Sequence, residues 1–407
     1  MQEGLSRKIT NVAVRVGWLI DGYGRPALKD RLITIDDGVI RKIAVLRPRD
    51  PAAPGTINMS DYTILPALVD SHVHLFMSGT VDLSYRKQQL EAGFDWIKGT
   101  IERHLRQHLA SGVIAVRDGG DRQAHALRYK ATIQLIGSKL PYINAAGSAW
   151  HRAGRYGRLI ARSPAGGQSL ASAIAADELQ VDHVKIVNSG LNSLVKFGHA
   201  TTPQFSADEL RGAVDAAGKK GLKVMVHANG SLPVKIAVDS GCHSIEHGFF
   251  MGRENLLKMA DREIYWIPTA GTMAAFAAHL KKSGQDDSVA QRNLEHQLEQ
   301  IRLAKRFGVR IAAGTDAGSL GVHHGSSLVE ELSLLQQGGL TIEEAICCAG
   351  ENGAGLIGRR DIGRLKAGLP ATFIAVKGCP LDSIAGLAAV EAMYCNGESV
   401  PALKAED

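Results

Sequence analysis

Apolar and polar positions along this 407-residue chain change their period twice. From Asn11 to Leu19 they alternate in part; Asp21-Gly22-Tyr23-Gly24 reads as a turn, Arg31 to Ile35 as a strand, Asp36-Asp37-Gly38 as a second turn and Val39 to Val45 as the returning strand. Period-two segments joined by such residues predict a β meander. A Pro-rich stretch, Pro48 to Pro54, then leads towards an apolar run that ends in two histidines.

From there strand and helix patterns alternate. The strand candidates are Ile64 to His74, Val113 to Asp118, Tyr142 to Gly147, His183 to Asn188, Lys223 to His227, His243 to His247, Ile264 to Thr269 and Arg310 to Asp316. Between them lie stretches with apolar residues at helical spacing, such as Trp96 to Leu109, Ser206 to Lys219, Ser288 to Phe307 and Ser326 to Gln336. Repeated strand-helix units predict parallel strands with right-handed crossovers, and eight of them is the number that closes a (β/α)8 TIM barrel; a doubly wound open sheet is the alternative. The tail returns to β texture, with a turn at Arg364 to Leu369 and strands at Ala371 to Val376 and Ala388 to Tyr394. Neither β-rich end is long enough to bury a core alone, so the two are expected to pair. The expected organisation is an α/β fold in which residues 61–359 form the barrel while residues 1–60 and 360–407 together form a small β-sandwich.

Composition narrows the class. Hydrophobic residues at 45% and charged residues at 22% describe a globular protein and exclude a disordered or fibrous one. The formal charge of +6 comes from scattered basic residues, with a modest concentration from His151 to Arg162. That distribution argues against a nucleic-acid partner and for an anionic small molecule. Five cysteines, Cys242, Cys347, Cys348, Cys379 and Cys395, show no C-x-x-C spacing, which argues against a disulfide framework or thiolate zinc knot. With Arg15 and Gly17 interrupting the first apolar stretch and no run near ~18 apolar residues, neither a signal peptide nor a membrane span is expected, and a cytoplasmic setting fits best.

The chemistry lies where these strands end, because the active site of such a barrel sits at the carboxyl edge of its strands. His72 and His74 are an i, i+2 pair, so on a strand both imidazoles point to one side and can converge on a divalent ion. Lys185 stands among Val184, Ile186 and Val187, where burying an ammonium costs several kcal/mol unless it is paired or neutralised. An interior ion pair is one solution, and modification by carbon dioxide to a two-oxygen carbamate is another. His227 closes the fifth strand, His247 the sixth and Asp316 the eighth. Each has an ordinary structural explanation on its own; four histidines, a lysine and an aspartate at matching strand ends do not.

These motifs resemble those of the metal-dependent amidohydrolase superfamily. The resemblance rests on His72-Val73-His74, on Val184-Lys185-Ile186, on Val226-His227-Ala228, on Ile245-Glu246-His247-Gly248 and on Gly314-Thr315-Asp316-Ala317, and extends over nearly the whole chain, including Gly363 to Gly368. Within the superfamily the chain is most similar to the imidazolonepropionase-like group that includes Xaa-Pro dipeptidases. The resemblance implies a binuclear site, with zinc as the expected metal. His72, His74 and Asp316 would hold one ion and His227 and His247 the other, with carboxylated Lys185 and a hydroxide bridging the two. It implies further that Asp316 is the catalytic base and acid, and that the reaction is hydrolysis of an amide-type C–N bond in a dipeptide, N-acyl amino acid, carbamate or urea. Two positions depart from the group's pattern: Asn229 replaces a histidine two residues after the fifth-strand ligand, and Thr372 replaces an aspartate in a late strand.

Other readings stay open. Lactone or ester hydrolysis would use the same site. Deaminases of this superfamily typically use one metal and a glutamate three residues after the fifth-strand histidine, a position held here by Gly230; a non-catalytic scaffold would have lost ligands. Candidate substrate contacts are Tyr142, His151, Arg152, Arg155 and Tyr156 on the third strand or the loop after it, together with Asn229 and His323; His324, beside it, is likewise close enough in sequence to Asp316 to line the pocket. Arginine's bidentate fork suits a substrate carboxylate. Arg117-Asp118 is read as a structural ion pair and His104/His108 as a solvated helix face. Homo-oligomers are common among proteins resembling this one.

Overall fold

The computed structural model describes residues 12–47, 55–136, 140–199, 201–379 and 384–400; the Pro-rich stretch 48–54 lies outside them. The amino-terminal meander forms as expected. Strands β1 (Val12–Leu19), β2 (Leu28–Asp36) and β3 (Val39–Val45) are joined antiparallel in sequence order. The single strand expected from Ile64 to His74 is two: β4 (Ile57–Pro66) and β5 (Leu68–Val73). β4 runs parallel to β1 in the terminal sheet, and β5 runs parallel to the next barrel strand. The division falls at Pro66 and Ala67, since proline has no N–H to continue a ladder.

The barrel strands are β5, β6 (Val113–Asp118), β7 (Tyr142–Ala145), the short β8 (Ala149–Trp150) and β9 (Ala161–Arg162), β10 (His183–Val187), β11 (Lys223–Ala228), β12 (Ser244–His247) and β13 (Tyr265–Ile267). They lie in a three-stranded sheet, β5-β6-β7, and a six-stranded sheet, β13-β12-β11-β10-β8-β9, with every pairing parallel. Residues 310–316, expected as the eighth strand, form no ladder; the only pairings there are isolated bridges, Trp266 with Ile311 and, one residue beyond, Val73 with Ala317. Their backbone nevertheless ties the two sheets: Ala312 N donates to Trp266 O at 2.9 Å, Ser71 N to Ala313 O at 2.9 Å and Asp316 N to His72 O at 2.7 Å. On the other side Asp182 spans β7 and β10, its amide donating to Ala145 O at 2.9 Å and its carboxylate accepting Ala145 N at 2.7 Å.

Helices fill the crossovers where amphipathic spacing predicts them, at Phe94–Ala110, Ala207–Lys219, Ser288–Phe307 and Ser327–Gln337. The second of these begins in a capping box, Ser206 with Glu209, which satisfies two otherwise unpaired amides. Among the described residues no helix is long and apolar enough to cross a membrane.

The two β-rich ends, expected as a sandwich, pair instead in one seven-stranded sheet. Strands β14 (Phe373–Lys377), β15 (Val390–Cys395) and β16 (Glu398–Val400) join β1–β4 in the order β16-β15-β14-β4-β1-β2-β3. The junction between the two ends of the chain is the antiparallel pairing of β14 with β4. Val14, Val16, Ile33, Ile64, Phe373 and Tyr394 pack as a core of its own, separate from the large apolar cluster of the barrel. All five cysteines are unpaired.

Candidate metal centre

Two kinds of backbone bring the candidate ligands together. His72 and His74 leave the end of β5 on one face, as alternation requires. Alternation along β12 instead sends Ser244 and Glu246 to one side and His247 to the other. A left-handed φ of 65° at His247 turns its side chain back, and φ of 59° at Asp316 does the same there. Non-glycine residues in this region are strained, so both conformations need support. At His247 the carbonyl accepts the Trp266 indole N–H at 3.0 Å and the buried Gln297 amide at 2.6 Å.

The ligand atoms of His72, His74 and Asp316 all lie within 4.8 Å of one another. Asp316 Oδ1 is 3.4 Å from Nε2 of both histidines. Burial pushes these imidazoles down from their ordinary range, His74 to about 4 and His72 well below it, so each ring is neutral and carries one proton. Their remaining nitrogens are oriented from behind: His74 Nδ1 donates to Gly120 O at 2.9 Å, and His72 Nδ1 stands 2.8 Å from Glu246 Oε2. Gly119 leaves the space between them clear, since a Cβ there would lie 2.8 Å from His74 Cε1 and 3.3 Å from His72 Nε2. Neutral nitrogen donors, a carboxylate oxygen and cleared space suit a divalent cation.

The other candidates border this point. His247 packs its ring 5.2 Å from that of His72 and 4.6 Å from that of His227, centroid to centroid. Nδ1 of His247 is hydrogen-bonded to Thr269 Oγ1 at 2.7 Å, which leaves Nε2 available. His227 is the reverse: Nε2 donates to Gly190 O at 3.2 Å, leaving Nδ1 available. Burial pushes His227 down to about 3 and His247 well below the ordinary range. Lys185 is 1% exposed and its Nζ has no hydrogen-bond partner among the described residues. Burial brings its ammonium down to about 8, opposed by the charges of Glu246 and Asp316. Asp316 moves up to about 6, again through burial, against the Ser319 hydroxyl that donates to Oδ2 at 2.9 Å.

The candidate substrate residues fall in different places. Tyr156 holds its ring 5.5 Å from that of His227 and is 39% exposed at the rim. Arg152 spends its guanidinium on Glu209, at 2.6 and 2.7 Å, and Arg155 on the Thr202 hydroxyl at 2.6 Å. His151 is buried, with Nε2 3.2 Å from Ser163 Oγ. Asn229 links two loops, accepting Phe249 N at 3.1 Å and donating to Gly190 O at 3.4 Å. His323 is exposed. Tyr142 opens β7 and is therefore at the amino-terminal edge of the strands, the end away from the metal cluster. It lines a cavity of about 500 Å³ that also reaches Cys395 and Val400 of the terminal sheet.

Three expectations are corrected. Arg117 pairs with Glu246 at 3.1 Å, while Asp118, on the opposite strand face, accepts Leu75 N at 2.8 Å and Gly120 N at 2.9 Å. His104 and His108 are buried, not solvated: His324 stacks on His104 with centroids 3.9 Å apart and lies 3.1 Å, Nδ1 to Nε2, from His108. His324, expected near the pocket, is thus packed beneath it. Glu246 was not singled out from sequence, although a charged residue inside an apolar strand is the same signal that marks Lys185.

Comparison with known proteins gives the family and the fold. Over 205 residues the chain is 28% identical to ochratoxinase of Aspergillus niger; the match covers 49% of this chain and 42% of that protein, so the chain spans less than half the length of this curated relative. It is 27% identical over 293 residues to an uncharacterized protein of Mycobacterium tuberculosis, covering 70% of this chain and 72% of the other. A crystal structure of a Xaa-Pro dipeptidase with methionine bound in its active site superposes with a TM-score of 0.78 at 26% identity, over 96% of this chain and 99% of that one. The shared architecture is a mixed α/β fold of the TIM-barrel type. Residues 63–400 match the model of the amidohydrolase family, and the chain belongs to that family.

Proposed function

We propose that this chain is a metal-dependent hydrolase that cleaves an amide-type C–N bond in a small molecule, with residues 61–359 as the catalytic barrel and two divalent ions, zinc first among them, as cofactors. The observation that carries this reading is the convergence of His72, His74 and Asp316 within 4.8 Å, backed by the available nitrogens of His227 and His247. His72, His74 and Asp316 would hold one ion, His227 and His247 the other. Lys185 would bridge as a carbamate: a buried amine with no partner, held near 8, has a reactive neutral form at hand and gains oxygens that the site can use. Bound divalent ions supply Lewis acidity towards a carbonyl and acidify water near neutral pH.

The chain's own residues divide the remaining work. Asp316 directs Oδ1 between the two imidazoles while Ser319 occupies Oδ2, which suits a carboxylate that takes a proton from water and returns it to the leaving amine. Gly230 begins the helix Ser231–Asp239 and offers no carboxylate to shuttle protons to a ring nitrogen, which favours hydrolysis over deamination. A similar structure that is a Xaa-Pro dipeptidase supports dipeptides and N-acyl amino acids as the first substrates to try, ahead of carbamates, ureas and lactones.

The test is metal quantification followed by a screen of those five classes with zinc and bicarbonate present. About two equivalents of metal and turnover of a C–N substrate, lost in Lys185→Ala, are expected. A chain that takes up no metal, or full activity in Lys185→Ala, would overturn the binuclear reading; turnover of lactones alone would overturn the C–N reading.

A further inference from the structure

A second buried assembly stands behind the metal centre. Glu246 on β12 is 0% exposed. Its Oε1 accepts the Ser244 hydroxyl at 2.6 Å and Arg117 Nη1 at 3.1 Å, and Arg117 Nη2 donates to Ser244 Oγ at 2.9 Å, closing a ring of three. Oε2 takes no part in that ring. It lies 2.8 Å from His72 Nδ1 without the alignment of a hydrogen bond, and neither atom has a hydrogen-bond partner among the described residues.

We propose that Glu246 is the positioning residue of His72: anchored by Arg117 and Ser244, its free oxygen holds the proton on Nδ1 and thereby keeps the Nε2 lone pair aimed at the point shared with His74 and Asp316. The proposal rests on the reading that this point takes a divalent ion. Two carboxylates face the ring of His72, and Glu246 is the closer, 2.8 Å from Nδ1 against 3.4 Å from Nε2 to Asp316; a carboxylate only accepts, so the single proton of the neutral imidazole goes to Nδ1 and Nε2 is left bare. Arg117 compensates the buried carboxylate charge, and its double attachment fixes which oxygen is left for His72. His74 and His247 are oriented by a carbonyl and a hydroxyl, so His72 is the ligand whose donor strength a charged group adjusts.

The experiment uses the full chain and compares wild type with Glu246→Gln, in which the side-chain amide can donate to Nδ1 and move the proton to Nε2. The first readout is the pair of His72 ring ¹⁵N shifts in metal-free protein, assigned by their loss in His72→Asn. The second is zinc affinity in competition with a chelator. Wild type is expected to carry the proton on Nδ1. Glu246→Gln is expected to carry it on Nε2 and to bind zinc about 10–100-fold more weakly. A merely structural role would lower the melting temperature without exchanging the two shifts. A proton on Nε2 in wild type, or a folded Glu246→Gln with unchanged shifts and zinc affinity, would overturn the proposal. Should Glu246→Gln not fold, Ser244→Ala loosens the same carboxylate while keeping its charge; a mixed tautomer and weaker zinc binding are expected, and no change in either overturns it. A wild-type chain that binds no zinc yet shows the Nδ1 proton refutes the metal reading and keeps the positioning role.

Discussion

Asp70 Oδ2 accepts the Thr315 hydroxyl at 2.7 Å while Oδ1 accepts the Thr315 amide at 3.0 Å. The same Oδ1 accepts His72 N at 3.2 Å, so one buried carboxyl joins the backbone beside the first histidine ligand to the residue before Asp316. Asp70→Ala would leave three donors without partners. We expect a loss of about 2–4 kcal/mol, measured by urea denaturation, together with weaker zinc retention. Asp70→Asn keeps an acceptor for the two amides and should cost less. Equal effects from the two variants would show that side-chain volume, not hydrogen bonding, matters here.

Gly119 offers a cleaner separation of site from fold. Its backbone does not require positive φ, so alanine can adopt it, yet the added Cβ would stand 2.8 Å from His74 Cε1 and 3.2 Å from His74 Nε2. His74 cannot swing aside without losing its bond to Gly120 O. Gly119→Ala is therefore expected to melt within a few degrees of wild type, a shift of under about 1 kcal/mol, while losing most bound metal by elemental analysis. A variant that keeps its metal would place the ion elsewhere.

The contrast between residues that sequence revealed and those it hid has a physical basis. His72 and His74 were legible because strand alternation is local, and Lys185 because an amine among Val184, Ile186 and Val187 is out of place. Glu246 and Arg117 carry the same sign of oddity, but their partnership spans 129 residues and depends on both side chains entering the barrel interior. His247 ends its strand where expected, whereas Asp316 closes a segment that makes only isolated bridges, and alternation alone gives no account of the left-handed φ at either residue. His104 and His108 look solvated at helical spacing; the loop at Leu75, whose carbonyl accepts His104 Nδ1 at 2.8 Å, and the distant His324 cover them. Tyr142 shows the opposite limit, for its strand was identified but not the end of the strand it occupies.

Lys185 makes a prediction about stability that runs against its role in activity. A buried Nζ without a partner is a net cost to the metal-free chain. Lys185→Met, similar in length and apolar, should raise metal-free stability by about 1–3 kcal/mol while abolishing hydrolysis. Denaturation in the presence of chelator decides the first part. Destabilisation by methionine would mean that the amine is paired after all.

Glu331 supplies a pH dependence from a group outside the ligand set. Its carboxyl is buried and accepts Ala270 N at 3.1 Å and Gly271 N at 2.7 Å, fixing the start of the helix that follows Thr269. Burial pushes it up to about 8 from an ordinary 4.5, against the pull of those two amides. Below 4.5 the carboxyl is protonated folded or unfolded, and its titration contributes no slope. Between there and 8 the unfolded chain releases the proton while the folded chain retains it, so stability falls as pH rises through that window and levels off above it. The slope from this one group is at most about 1.4 kcal/mol per pH unit. Glu331→Gln cannot titrate and should flatten the decline in melting temperature between pH 5 and 8, measured on metal-free protein. An unchanged slope would mean that the two amides outweigh burial and that Glu331 is ionised throughout.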